Sequence, residues 1–286
     1  PSWREKYYKI SSFIRFKEIK KREYKSENLN KIDFNKGFHF EDSETFESNF
    51  KLNLEEAIDF SNDKINDFLL HKKLNNNSKN YLQSVLSKND FSPSDPIINL
   101  AMNDYFARAA SSYLGIVPII GQIQLWYSPN NGLCDEGSQF FHLDYADVKQ
   151  FKVFIMLDDI DDNTGPLTFI TAEDSKIIAN KINYKLSNKE IRVPDNIIEN
   201  LVDKNDWIKA TGSKGQVLFI DTCNCMHFGS RNGTKPRRIL MIQYISPFSF
   251  TLPLKYKGNT FLSDIFNNNK ADFDNLTDYK KLLLGL

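Results

Sequence analysis

The stretch Phe151-Lys152-Val153-Phe154-Ile155-Met156-Leu157 decides the fold. It is a continuous apolar run broken by a single lysine, and it reads as a strand. Working outward, runs of the same character occur at 116–128, 167–171, 216–221 and 239–245. Turn signals separate them: Asn130-Asn131-Gly132, Asp161-Asp162-Asn163-Thr164-Gly165-Pro166, Gly212-Ser213-Lys214-Gly215 and Asn232-Gly233. Short strands joined by tight turns imply an antiparallel sandwich or jelly roll over residues 116–250. A polar, partly helical insertion at about 173–207 interrupts it.

Upstream, residues 54–71 have helical spacing, with Asn53 placed to cap the start. A polar loop is expected at 72–79. Residues 96–114 read as one helix, with Asp95 as N-cap, Pro96 in the first turn and Gly115 as the stop. Residues 1–50 are polar, dotted with aromatics and without a clear pattern. The tail from Phe261 reads as a last helix. The expectation is one domain over 1–286: a helical part at 1–115, a strand-rich core at 116–250 and a tail at 251–286. The fold class is mainly β with flanking helices, a double-stranded β-helix of the jelly-roll or cupin type.

Composition excludes several functions. The 37 basic and 37 acidic residues balance, so no broad electrostatic footprint marks a nucleic-acid binder. The basic run at 17–22 reads as a solvated helix face. No apolar run reaches the length of a membrane span. Three cysteines in 286 residues make no disulfide framework and fit a reducing, cytoplasmic setting. Oligomeric state leaves no mark in the sequence.

Of four histidines, His39 and His71 carry no motif. His142 stands in Phe141-His142-Leu143-Asp144, where positions i and i+2 of a strand share a face. His227 follows the run 216–221 through Thr222-Cys223-Asn224-Cys225-Met226. Two imidazoles and one carboxylate on one face match the metal set of non-haem iron(II) oxygenases. Three ligands hold the metal and leave adjacent positions open, two for a 2-oxo acid and one for dioxygen.

The surrounding sequence resembles the phytanoyl-CoA dioxygenase family of 2-oxoglutarate oxygenases. Phe141-His142-Leu143-Asp144-Tyr145-Ala146-Asp147 resembles the family's iron-binding segment. Residues 152–160 and Asn163-Thr164-Gly165-Pro166-Leu167 resemble its strand and Gly-Pro turn. Gly215-Gln216-Val217-Leu218-Phe219-Ile220-Asp221-Thr222, leading to His227, resembles its distal-histidine strand. The resemblance implies iron(II) on His142, Asp144 and His227, with 2-oxoglutarate and dioxygen as co-substrates. It implies oxidation of a small-molecule or lipid-like substrate with release of succinate and carbon dioxide. Related halogenases lack the carboxylate, so Asp144 implies hydroxylation or a related oxidation, not halogenation. Where the family often continues with Pro-Gly-Ser-His, this chain has Phe169-Ile170-Thr171-Ala172, so the substrate does not follow by analogy.

A 2-oxoglutarate carboxylate calls for a buried cation, ideally a bidentate arginine. Arg237 and Arg238 would point to opposite faces of one strand, and the family spacing from His227 favours Arg238. Lys152, the one charge in its apolar strand, is a second candidate, with a sheet-edge role as the alternative. Gln124 and Trp126 share a strand face and could line the pocket. Cys223, Cys225 and His227 share a parity that admits a zinc reading, against which no second cysteine pair stands ready. The acidic residues Asp147, Asp158, Asp159, Asp161 and Asp162 read as a polar turn, with calcium as the alternative. The 173–207 insertion is a candidate lid. The rival functions are a metal cupin that does not use 2-oxoglutarate and a non-catalytic jelly-roll binding module.

Overall fold

The computed structural model describes residues 3–14, 17, 21–22, 32–33, 35–42, 44, 46–71, 81–130, 137–184, 191–253, 255–267 and 274–286. The expected loop at 72–79, Gly132, Cys134 and part of the 17–22 run lie outside them. The described strands are β1 (Phe38–Glu41), β2 (Gln83–Ser84), β3 (Ile119–Ser128), β4 (Gln150–Met156), β5 (Thr168–Phe169), β6 (Ile208–Lys209), β7 (Val217–Ile220), β8 (His227–Phe228) and β9 (Arg237–Ile245). The helices are α1 (Trp3–Ile14), α2 (Ser48–His71), α3 (Pro96–Ala101), α4 (Asp104–Leu114), α5 (Ala172–Lys181), α6 (Asp195–Glu199), α7 (Ser263–Asn267) and α8 (Asp278–Leu284).

The strands make two antiparallel sheets. One has six strands in the order β1-β7-β4-β9-β3-β2, and the other has three in the order β6-β5-β8. The chain is thus a double-stranded β-helix with flanking helices. β4 shows why its sequence is almost wholly apolar. Phe151, Val153 and Ile155 face the helices and join one core with Leu54, Phe106 and Ala110. Phe154 and Met156 face the smaller sheet and pack with Phe169, Leu218 and Ile220. Burial on both faces removes the polar alternation of a half-exposed strand.

Several boundaries differ from expectation. α2 begins at Ser48, so Asn53 lies inside the helix and its Oδ1 accepts from Asn103 Nδ2 at 3.0 Å. The expected single helix at 96–114 is two, because the Asn103 side chain accepts from Tyr105 N and starts α4 anew. Asp95 does not cap with its side chain; its carboxylate accepts from Ser92 N. Gly115 ends α4 at φ 73°, a left-handed position that suits glycine. The N-terminal part is not purely helical, since β1 and β2 form the two edges of the large sheet. The described residues of the tail hold two helices, α7 and α8, in place of one.

The insertion packs on the outside of the small sheet. Ile178, Val193, Ile198 and Trp207 share a core with Phe141 and Phe228. Arg231 fastens it with two bonds to Asp195, at 2.9 and 2.7 Å, while its guanidinium stacks 3.3 Å from the Phe228 ring centre.

Candidate metal centre

His142 and His227 face each other across an isolated antiparallel bridge. Each backbone N–H donates to the other residue's carbonyl at 3.0 Å. Opposed residues of such a pair project to one side, and the ring centres lie 4.3 Å apart. The chain then leaves the bridge, and Asp144 is held by its own N–H donating to Thr222 O at 2.9 Å. Asp144 Oδ1 comes to 3.8 Å from His142 Nε2 and 3.9 Å from His227 Nε2. Among the described residues this is the one group of three metal-capable side chains that converges.

The surroundings orient all three. His142 Nδ1 lies 2.9 Å from Phe140 O, and His227 Nδ1 lies 3.0 Å from Cys225 O. A carbonyl only accepts, so each Nδ1 carries the proton and each Nε2 lone pair faces the metal position. Asp144 Oδ2 accepts from Lys152 Nζ at 2.6 Å, Thr222 Oγ1 at 2.5 Å and Gln150 Nε2 at 3.0 Å. Gln243 Nε2 in turn donates to Gln150 Oε1 at 2.5 Å. With Oδ2 satisfied, Oδ1 is the oxygen left toward the imidazoles.

Electrostatics agree with a ligand role. Burial, and for His142 the neighbouring His227, pushes both imidazoles below the usual histidine range, so both are neutral. Burial opposes charge on Asp144, yet the Lys152 ammonium bonded to its Oδ2 outweighs it and holds the carboxyl well below its usual range. Two neutral nitrogens and one carboxylate oxygen, with no fourth ligand in the cluster among the described residues, form a facial donor set.

The remaining expectations fare unequally. Arg238 does not face the site. Its Nη1 donates to Asn62 Oδ1 at 3.2 Å and its Nε lies 3.4 Å from Asp158, on the helix-covered face of β9. Arg237 takes the inner face with Met241 and Gln243, because successive strand residues alternate. Lys152 neither reaches a sheet edge nor stands free; it pairs with Asp144. Gln124 is engaged by Ser84 Oγ at 3.0 Å, while Gln122, two residues earlier on that face, lines the cavity at Asp144. Trp126 packs beside Met156 and Ile239 in the core between the sheets. Cys223 and Cys225 stay outside the one metal-capable cluster found among the described residues, so no zinc site gathers around them there; burial pushes both thiols well above their usual range. The acidic series is spent on separate partners: Asp159 takes Lys214 N, Asp161 takes Asn163 N and Asp162 pairs with Lys209.

Arg237 was passed over in the sequence, and it is the more instructive residue. It is 6% exposed, and burial lowers its pKa to about 10, still well above neutrality. Its Nη1 donates to Gly165 O at 2.7 Å, while its Nε is buried without a partner. Ser128, its cross-strand neighbour, has a hydroxyl that is likewise buried without a partner. Gly165 is held at φ +61°, and a Cβ there would meet Arg231 O at 2.9 Å, so the carbonyl that steadies Arg237 depends on glycine.

A cavity of about 530 Å³ opens onto Asp144 and Lys152, lined further by Gln122, Gln243, Tyr145 and Thr251. A second, of about 630 Å³, lies against Lys149 and Asn224 and touches none of the three metal-capable residues.

No family model and no curated protein matches the sequence. Solved structures do. AviO1 from Streptomyces viridochromogenes Tue57 is similar with a TM-score of 0.53 at 14% identity, covering 76% of this chain and 92% of that one. EctD from S. alaskensis with bound Fe gives 0.54 at 16% identity, covering 80% and 82%. EctD with 2-oxoglutarate and 5-hydroxyectoine gives 0.50 at 15% identity, covering 78% and 76%. At such identities the likeness is one of fold. The chain is therefore a jelly-roll protein with a two-histidine, one-carboxylate cluster, and no helix among the described residues is long and apolar enough to cross a membrane.

Proposed function

We propose that this chain is a non-haem iron(II)- and 2-oxoglutarate-dependent oxygenase that hydroxylates a small molecule or lipid-like substrate, akin to the phytanoyl-CoA dioxygenase family. The observation that carries this reading is the convergence of His142 Nε2, His227 Nε2 and Asp144 Oδ1, each with its other polar atom already engaged. EctD, the fold relative above, was crystallised with Fe and with 2-oxoglutarate.

The residues fit both groups. Three ligands hold iron(II) and leave room for a chelating 2-oxo acid. The buried, partnerless Arg237 Nε and Ser128 Oγ fit a carboxylate oxygen better than they fit an empty core. Arg237 and Ser128 thus replace Arg238 as the anchor for the far carboxylate. Iron with 2-oxoglutarate and dioxygen supplies the oxidising chemistry, releasing succinate and carbon dioxide. The chain's own part is positional. Lys152, Thr222 and Gln150 hold Asp144 to one oxygen; the carbonyls of Phe140 and Cys225 fix the imidazole tautomers; and the cavity at Asp144 receives the substrate. The presence of Asp144 favours hydroxylation over halogenation.

Anaerobic titration of metal-free protein with iron(II) and 2-oxoglutarate tests this reading. A weak visible charge-transfer band is expected from the chelate, and loss of the band in His142→Ala and Asp144→Ala. Iron uptake without the band would return the chain to the metal cupins that do not use 2-oxoglutarate. No iron uptake would leave a binding module.

A further inference from the structure

A row of polar side chains crosses the large sheet at the level of Asp144. Lys152 on β4 is the cross-strand partner of Gln243 on β9, and Gln243 is the partner of Gln122 on β3. Directly opposed residues share a face, and all three line the cavity that opens onto Asp144. The register of β3 shifts between Ile120 and Gln122, a bulge that contains Gly121. A Cβ on Gly121 would meet Gln243 Oε1 and Ile245 Cδ1 at 3.0 Å, so glycine makes the room in which the Gln243 amide lies.

The Asp144 carboxylate fixes which way the amides point. Its Oδ2 can only accept, so Gln150 turns Nε2 toward it, at 3.0 Å. Gln150 Oε1 then faces Gln243, and only Gln243 Nε2 can answer it, at 2.5 Å. Gln243 Oε1 is left to the cavity as an acceptor. The half-buried Gln122 amide makes no hydrogen bond to a described residue and is free to turn. The charged side chains of the lining are all matched, Lys152 by Asp144 and Lys88 by Asp264. A hydrocarbon laid over the two amides would strip their water and return no bond. An anion would find its cations already spent. We infer that Gln243 and Gln122 are substrate-positioning residues, and that the primary substrate is a neutral molecule whose hydroxyl or amide N–H donates to Gln243 Oε1. Gln122 supplies the second bond, as donor or acceptor. Through Gln150 the same amide chain ends on a metal ligand, so the substrate is placed in register with the metal. The inference rests on the oxygenase reading and narrows its substrate to neutral hydrogen-bond donors.

The test uses the full chain as its anaerobic iron(II)–2-oxoglutarate complex. It is titrated with probes of similar size: erythritol, butanamide, butyrate and 1,2-dimethoxyethane, which accepts hydrogen bonds but donates none. Binding is read from the shift of the visible band and from the melting temperature. Erythritol or butanamide is expected to bind more tightly than butyrate or the ether, and the better of the two identifies the donor as hydroxyl or amide. Gln122→Leu and Gln243→Leu should each weaken that probe by about three- to tenfold, and Gln122→Asn should restore part of the loss. Gln122 touches no ligand of the metal, so its variants keep the chelate band and stay informative if Gln243→Leu disturbs Gln150. Tighter binding of butyrate or the ether, no binding of any probe, or equal binding in wild type and Gln122→Leu overturns the inference and leaves the oxygenase standing. A complex that never forms its band removes both readings.

Discussion

Replacing Arg237 and Arg238 separately by Gln discriminates two neighbouring residues that the sequence treats almost alike. Arg237 is buried on the inner face, with one guanidinium nitrogen on Gly165 O and another without a partner. Arg238 faces Asn62 and a half-exposed Asp158. A charge-assisted hydrogen bond contributes about 1.5–3 kcal/mol. Arg237→Gln removes the charge-assisted bond that Nε offers the carboxylate and can return at most one neutral bond. The net loss is about 1.5 kcal/mol, or roughly tenfold in 2-oxoglutarate affinity. Arg238→Gln removes a surface pair worth at most about 1 kcal/mol to stability and nothing to the co-substrate. Anaerobic titration of the chelate band against 2-oxoglutarate measures both. Iron affinity and melting temperature serve as controls, because Arg237 also supports the Gly165 turn. A weakened Arg238→Gln beside an intact Arg237→Gln would refute the facing argument and reinstate the family spacing.

Three further outcomes follow from contacts already described. Thr222→Val removes one donor from Asp144 Oδ2, and iron(II) affinity should fall about 10–100-fold, measured by competition with a chelator. Arg231→Ala leaves Asp195 without its partner and bares Phe228; the cost should be about 3 kcal/mol in denaturant unfolding, with faster proteolysis near α6. Asp221 is fully buried, and burial raises its pKa to about 6 against the bonds from Tyr113, Asn224, Gln150 and Cys223 that lower it. The folded state therefore holds this proton more tightly than the unfolded chain. The contribution of Asp221 is greatest below its unfolded pKa and is lost as pH rises through about 6. Relative to Asp221→Asn, the wild type should lose about 2 kcal/mol between pH 4 and pH 6, out of about 3 kcal/mol over the whole transition; parallel stability curves would show that Asp221 does not titrate there.

What the sequence made legible depended on how local the signal was. The triad could be read because His142 and Asp144 lie two residues apart and the strand-and-turn pattern around His227 is distinct. α4 could have been read as well, since Asn103-Asp104 offers a cap inside an otherwise continuous pattern. β1 could not. It has four residues, and its partner β7 lies far along the chain. Nothing near Phe38 announces that pairing, whose cost is one of loop closure and not of local propensity.

The facing of β9 lies between these cases, and it carries a method. Arg237, Ile239, Met241, Gln243 and Ile245 alternate with Arg238, Leu240, Ile242 and Tyr244, and both sets are largely apolar because both faces are buried. Hydrophobicity alone cannot say which set looks inward. The polar exception can. A strand covered by helices on its outer face has no reason to bury an amide there, but a strand lining a polar site does. Gln243 is that exception, and it shares parity with Arg237. Gln150 and Lys152 mark β4 in the same way, and the three converge on Asp144, Lys152 and Gln150 directly and Gln243 through Gln150. Applied to the sequence, this criterion selects Arg237 over Arg238 without coordinates. It also selects Gln122 together with Gln124 on β3, and only the position along the barrel separates those two, because parity fixes a face and not a depth.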